Sequence, residues 1–268
     1  MAKLDYKYKK LKSQLKKLNS LMVAFSGGID SALLLRVAHE VLRDKVLAVT
    51  ADSPSVPRRE IEEAKRIAKN IGARHLIIQT EETKNENYIK NPANRCYFCK
   101  SELYSKLLEI AKREKIHYIA NGTNFDDLGD YRPGLQAARE YQIISPLKEA
   151  NLTKNDIRAL AKQLKLRIWD KPASPCLSSR IPYGSKVTRK KLVMIEEAEA
   201  FIKSLNIKEL RVRHFGKKAR IETNKRDFEI INQNFQLITN KFKTIGFNEI
   251  ELIEFKSGSL NSLLKVIS

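Results

Sequence analysis

AFSGGIDSALLL, residues 24–35, runs from an apolar stretch through two adjacent glycines straight into a helical pattern. Leu21–Phe25 is short and apolar, as a buried strand should be, and the leucines downstream fall at helix spacing. Gly27 and Gly28 let backbone amides approach an anion closely, and the helix start adds unpaired N–H groups and partial positive charge. Ser26 and Ser31 can add hydroxyl donors, and Asp30 stands where it could hold a magnesium ion or cap the helix. The stretch reads as a cradle for pyrophosphate. It is neither a Walker A loop, since no Gly-Lys-Ser/Thr follows, nor a G-x-G-x-x-G fingerprint. A tight strand-to-helix turn with a capping Ser or Asp is the plain structural alternative.

Outward from this junction, strand and helix patterns alternate. VLAVTA, HLIIQT, HYIANGT and YQIISPL read as strands, and RREIEEAKRIAKNIG and YFCKSELYSKLLEIAKREK as helices. Helices of this length between strands imply right-handed crossovers and a parallel sheet covered on both faces. The pattern breaks in KPASPCLSSRIPYGSKV, residues 171–187, whose prolines, glycine and serines mark an ordered linker. Beyond it lie a helix (RKKLVMIEEAEAFIKSL), two close strands (LRVRHF and ARIET), a helix (FEIINQNFQLITNKF) and a last strand (EIELIEF). The expected domains are therefore an α/β unit over 1–170, a cysteine-containing linker loop over 171–187, and a small α+β unit over 188–268.

The 268 residues suffice for one large domain or two modest ones. Hydrophobic residues make up 42% and charged residues 31%, and no apolar run nears membrane-span length. The basic start, MAKLDYKYKKLKSQLKKLNSL, lacks the unbroken apolar core of a signal peptide, so a cytoplasmic protein without a membrane partner is expected. A formal net charge of +20 concentrates anions, from phosphate metabolites to nucleic acid, without choosing among them. The lysines are spread along the whole chain, so a lysine-rich surface explains the charge as well as a dedicated nucleic-acid face does.

Three further features carry chemistry. TADSP (Thr50–Pro54) ends the strand beside the glycine loop, and Asp52 falls where the crevice of an open parallel sheet receives a ligand. NGTNFDDLGDYRPG (Asn121–Gly134) ends another strand at Gly122 and crowds Asp126, Asp127 and Asp130 together, a group suited to magnesium or to an ordinary surface turn. The chain has three cysteines, Cys96 and Cys99 in NRCYFCK and Cys176 in SPCLSSR. Three thiols in a reducing compartment suggest metal or catalysis before disulfides.

SGGIDS after an apolar strand resembles the PP-loop signature, SGGxDS, of the ATP pyrophosphatases, which cleave ATP between its α and β phosphates and adenylate a carboxylate or carbonyl oxygen. SGGIDS, GTNFDDLGDYRPGLQAA and PASPCLSSRIPYG, in this order and spacing, are similar to the LarE family of ATP-dependent sulfur transferases. The similarity covers nearly the whole chain, LRVRHFGKKARIE included. It implies an α/β fold with a parallel sheet and helices on both faces (PP-loop ATP pyrophosphatase, adenine nucleotide alpha hydrolase-like), plus a small C-terminal α+β domain for substrate binding or oligomerisation. The implied activity is adenylation of the carboxylates of pyridinium-3,5-biscarboxylic acid mononucleotide and replacement of oxygen by sulfur, for the nickel-pincer nucleotide cofactor.

The same resemblance implies site residues. ATP and Mg2+ would be held by Ser26, Gly27, Gly28, Asp30, Ser31, Asp52, Gly122 and Asp127. Cys96, Cys99 and Cys176 match the family type that holds a 4Fe-4S cluster, and three thiolates leave one iron of a cubane without a protein ligand. Asp30 and Cys176 would be catalytic. Ser179, Arg180, Arg211 and Arg213 resemble the pocket for the substrate phosphate, with Glu199 orienting an arginine. The implied partners are the pyridinium mononucleotide, a sulfide donor and further copies of the chain. Other readings stay open at this level. Cys176 could sacrifice its own sulfur, the thiols could bind zinc with His75 or His117, or they could be inert and buried. A tRNA thiolase would suit the charge, but the chain lacks the extra C-x-x-C pairs of zinc-ribbon thiolases and any recognisable RNA-binding module.

Overall fold

The computed structural model describes residues 2–129, 133–172 and 174–256. In chain order its main elements are α1 (Ala2–Lys16), β1 (Leu21–Ala24), α2 (Ile29–Leu42), β2 (Val46–Asp52), α3 (Arg58–Ile71), β3 (Arg74–Gln79), α4 (Glu86–Ile89), α5 (Arg95–Arg113), β4 (Ile119–Ala120), α6 (Pro133–Glu140), α7 (Pro146–Glu149), α8 (Lys154–Gln163), α9 (Arg189–Ser204), β5 (Leu210–Phe215), β6 (Lys218–Thr223), α10 (Phe228–Gln233), α11 (Phe235–Ile245) and β7 (Glu249–Glu254). Two compact units result. One comprises residues up to Glu82 together with Cys96–Ser174, and the other comprises Thr83–Arg95 with the chain from Pro175 onward.

The first unit is built on a parallel sheet in the order β3-β2-β1-β4. Side chains alternate across a strand, and the two faces feed two separate cores. Leu21, Val23, Val46 and Ala48 pack with Leu33, Leu34 and Val37 of α2, Ala64 and Ala68 of α3, and Ile157 and Leu160 of α8. Met22, Leu47 and Val49 pack on the other side with Leu103, Tyr104 and Leu107 of α5 and Ala137 of α6. Burial on both faces explains why β1 and β2 are nearly unbroken apolar runs. Helix α3 shows the complementary logic: Ile61, Ala64, Ala68 and Ile71 line one buried face, and Gly72 closes the helix at φ +80 with its N–H on Ala68 O.

The sheet departs from expectation at its β4 edge. HYIANGT yields only Ile119–Ala120, and YQIISPL adds only a bridge between Ala120 and Ile144. Asn121 ends the strand by accepting Thr123 N–H and the Ser145 hydroxyl, and Pro146 opens α7 two residues after the bridge. The basic N-terminus also gains structure. Leu11 and Leu15 of α1 are fully buried in the core beneath α2, and Tyr8 donates to Glu40.

In the second unit β5 and β6 form an antiparallel hairpin through Gly216 at φ +66, and β7 joins β6 in parallel. Val212, Ala219 and Ile221 pack with Ala198 and Ile202 of α9 and with Ile238 and Phe242 of α11. The single helix expected over 228–242 is split at Asn234, whose Nδ2 donates to Ile230 O at 2.8 Å and competes with the helix ladder. Among the described residues no helix is long and apolar enough to cross a membrane.

Candidate functional site

The glycine loop of the first unit braces itself. Ser31 Oγ donates to Gly28 O at 3.0 Å and accepts from Ser26 N at 3.3 Å, while Gly28 N donates to Ser26 Oγ at 3.3 Å. With the single Ser31 proton spent on Gly28 O, the Ser26–Ser31 hydroxyl contact at 3.2 Å runs from Ser26 to Ser31. Gly27 sits at φ +71, and a Cβ there would lie 3.0 Å from Ala64 Cβ. The ladder of α2 starts with Ala32 N on Gly28 O, so the amides of Ile29, Asp30 and Ser31 precede it. Gly122, at the end of the β4 segment, abuts the same turn: a Cβ would fall 2.8 Å from Ser31 N. Backbone from two neighbouring strand ends therefore meets at one helix N-terminus, the arrangement that binds phosphate groups.

Asp30 reaches Lys154 Nζ through Oδ2 at 2.6 Å, and its Oδ1 is buried without a hydrogen-bond partner. A buried carboxylate oxygen left over beside a helix N-terminus suits a hard cation such as Mg2+. Asp52 is spanned by Arg58 Nη1 and by Gln79 Nε2 at 2.9 Å. In the acidic run, Asp127 Oδ2 accepts Asn124 N–H and Asp126 Oδ2 accepts Lys154 N–H, both backbone-capping roles. Asp130 lies outside the described residues. Ser53 and Ser55 both donate to the buried carboxylate of Glu82, which braces the end of β2.

Two lysines beside the loop went unnoticed in the sequence. Lys154 is the first residue of α8, whose capping box of Thr153 and Asp156 was a legible helix-start signal. Lys171 bridges Glu60 and Glu63 at 2.7 Å each and reaches Gly27 O at 3.4 Å. Burial pushes the Glu60 carboxyl up, but Lys171, Ser174 and Arg59 together hold it below its ordinary value.

The second unit carries a cluster of guanidinium groups. Arg180, on the 3₁₀ turn Leu177–Arg180, is buried and donates from Nε and Nη2 to Glu199 at 2.8 and 3.2 Å. Its Nη1 reaches back to Pro175 O, Cys176 O and Ser179 Oγ. Arg213 is buried too, paired with Glu222 at 2.8 Å and donating to Ser179 O at 2.7 Å. Arg211 is half-buried, with its guanidinium 4.5 Å from the Phe255 ring centre. Burial, and then the like charges of Arg180 and Arg213, depress Arg211 to about 10, with Glu222 and Glu199 opposing. Three guanidiniums lie close together, Arg180 paired with Glu199 and Arg213 with Glu222, a concentration of positive charge that favours an anion. Glu199 is raised by burial but held low by Arg180, Lys203 and the Val212 N–H.

The thiols are divided. Cys96 and Cys99 lie three residues apart near the start of α5, on one helix side, Cys96 exposed and Cys99 half-buried. Cys176 is half-buried at the N-cap of the 3₁₀ turn in the second unit, next to the guanidinium cluster in the chain. Among the described residues no group of three or more His, Cys, Asp or Glu side chains is gathered to hold a metal ion. His75 is engaged elsewhere: Thr50 Oγ1 donates to Phe25 O and takes the His75 Nε2 proton at 2.8 Å, which anchors the strand feeding the glycine loop. Burial lowers the His75 pKa.

Residues 20–167 match the family model of the argininosuccinate synthase N-terminal HUP domain. Over nearly its whole length the chain is similar to three other proteins. One, from Synechocystis, is described as uncharacterized and is 41% identical over 97% of this chain and 99% of its own. The pyridinium-3,5-bisthiocarboxylic acid mononucleotide synthase of Lactiplantibacillus plantarum is 36% identical, covering 98% and 97%. An uncharacterized protein of Methanocaldococcus jannaschii is 33% identical, covering 90% and 93%.

Proposed function

The chain belongs to the LarE family of ATP-dependent sulfur transferases, within the PP-loop enzymes, and from that premise we propose that it converts pyridinium-3,5-biscarboxylic acid mononucleotide to its thiocarboxylate forms. The observation that carries this reading is the pairing of two anion sites of different kinds in one chain. A self-braced glycine loop with a spare buried Asp30 oxygen suits a magnesium nucleotide, and two buried arginines with half-buried Arg211 beside them suit a phosphate monoester.

In this reading the ATP phosphates lie on the amides of Gly27 and the first turn of α2, with the Ser26 and Ser31 hydroxyls bracing the loop. Asp30 would take Mg2+, with Gly122 closing on that turn, while Asp127 shapes the rim through Asn124 N–H and Asp52 through Arg58 and Gln79. A carboxylate oxygen of the substrate attacks the α-phosphorus, the bond to the bridging oxygen breaks, and pyrophosphate leaves. Sulfide then displaces AMP from the acyl carbon, so one carboxylate oxygen departs with AMP and sulfur takes its place. Arg180, Arg211 and Arg213, with the Ser179 hydroxyl, grip the substrate phosphate, and Glu199 orients Arg180.

Cys96, Cys99 and Cys176 are the three thiolates that would hold a 4Fe-4S cluster, and such a cluster when bound would provide an iron without a protein ligand for an exogenous sulfur. A second reading is favoured by the placement of Cys176 alone beside the arginines. There its thiolate attacks the acyl adenylate, AMP leaves, and C–S cleavage at Cβ leaves dehydroalanine on the protein. Mass spectrometry after turnover decides between them. Product with intact cysteines supports the cluster, whereas loss of the elements of hydrogen sulfide from the Cys176 peptide supports sacrifice. Absence of AMP and pyrophosphate release with substrate and sulfide supplied would overturn the whole assignment.

A further inference from the structure

We propose that Asn91, seconded by Tyr88, is the positioning residue of the loop that carries Cys176, Ser179 and Arg180, a role that rests on the sulfur-transfer reading above. The loop from Pro175 to Val187 has one short 3₁₀ turn and no strand ladder, so only a few of its carbonyls find backbone partners and side chains hold others. The Thr83–Arg95 segment, though far away in sequence, belongs to the same compact unit and provides them.

Asn91 is fully buried and holds the left-handed conformation, φ +56, that Asn tolerates better than most residues. Its Nδ2 donates to Pro182 O at 2.7 Å and Ser185 O at 2.9 Å, with Ile181 O at 3.3 Å, and its Oδ1 accepts from Arg95 Nη1. Its own carbonyl accepts Gly184 N–H at 3.0 Å, and Ile89 O accepts Val187 N–H at 2.9 Å. Nearer the thiol, buried Tyr88 meets Ser178 Oγ at 2.5 Å, and Arg95 Nη1 donates to Ser178 O at 3.2 Å.

The opposite side of the loop is held by the anion-site arginines, through Arg180 on Pro175 O and Cys176 O and Arg213 on Ser179 O. Ser178 and Ser179 thus sit between two grips, and releasing the Asn91 side lets the carbonyls that the arginines hold shift. Cys176 and the Arg180–Arg213 spacing then move together. Asn91 grips the loop through its backbone carbonyls, so the effect is on position and not on chemistry.

The test uses the full chain with Asn91→Gly and Asn91→Asp, which both tolerate positive φ but lack the Nδ2 donor, and Tyr88→Phe, which removes only the hydroxyl. Iodoacetamide alkylation of the Cys176 peptide is followed by mass spectrometry, and inorganic phosphate and ATP affinities are measured by calorimetry. We expect Cys176 alkylation to speed up, and phosphate to bind more weakly, each on the order of tenfold in the Asn91 variants, the scale of one or two lost buried hydrogen bonds. Tyr88→Phe should move both the same way by less, and ATP affinity should not change. A lowered melting temperature with wild-type alkylation and phosphate affinity would make Asn91 merely structural and overturn the proposal. Should the Asn91 variants fail to fold, wild-type values in Tyr88→Phe overturn it equally. The alkylation readout needs neither ATP nor the pyridinium substrate, so failure of the sulfur-transfer reading leaves it intact.

Discussion

Replacing Glu199 by Gln keeps side-chain size and removes only the charge that faces Arg180. Glu199 is 3% exposed and so is Arg180, and the pair is joined by two hydrogen bonds. The amide oxygen of Gln can still accept from Arg180 Nε, but its NH2 group then confronts Nη2, and the guanidinium stays buried beside Arg211 and Arg213 with no carboxylate. Stranding one partner of a buried pair costs about 3–5 kcal/mol, and the retained acceptor argues for the lower end. At about 1.4 kcal/mol per decade, that shifts the unfolding equilibrium roughly a hundredfold. Urea unfolding followed by far-ultraviolet circular dichroism measures it at pH 7. The pH dependence is the sharper test. The Glu199 carboxyl is held below its ordinary value, so its stabilisation is complete above the unfolded value of about 4.3 and is lost as pH falls through the lower, folded one. The gap between wild type and E199Q must therefore close in acid. A gap that is absent at pH 7, or that stays constant down to pH about 3.5, would refute the reasoning.

Three other substitutions probe the first unit. Gly122→Ala places a Cβ 2.8 Å from Ser31 N, where backbone must move, and should weaken ATP binding at least about tenfold in calorimetry with little loss of helix content. Asp30→Asn should lower ATP affinity about tenfold with Mg2+ present and far less in excess chelator; equal loss in both would remove Asp30 from the metal. Lys171→Met leaves Glu60 and Glu63 without their shared ammonium and should cost about 3 kcal/mol at neutral pH. There the sign reverses: with Lys171 gone, burial raises the Glu60 carboxyl, so the variant should regain stability relative to wild type as the pH falls below about 5.

What was legible in the sequence follows from distance along the chain. The glycine loop could be read because its strand, its turn and its helix cap are contiguous, and its hydrogen bonds join residues no more than five apart. The two-faced sheet could be read because the apolar runs of β1 and β2 are local facts too. Helix α1 was hidden by its own lysines, which mask Leu4, Tyr8, Leu11 and Leu15 at helical spacing against the core. The side chains that tune the sites are another matter. Lys154 finds Asp30 across 124 positions and Lys171 finds Glu60 across 111. To the sequence each is one lysine among many, because nothing local says which carboxylate it will meet.

Asn91 is the extreme case. Asn-Pro reads as an ordinary turn, and a positive φ is an ordinary reason for an Asn to stand there. The turn explains the backbone and leaves the buried amide without a purpose. A fully buried Nδ2 needs acceptors, and those it finds are carbonyls of residues 90 to 94 positions onward. They belong to the loop that also carries the third thiol and the buried Arg180. An asparagine chosen only for its turn could be replaced by glycine at little cost. One chosen to hold that loop could not, and the difference appears at Cys176, not at Asn91.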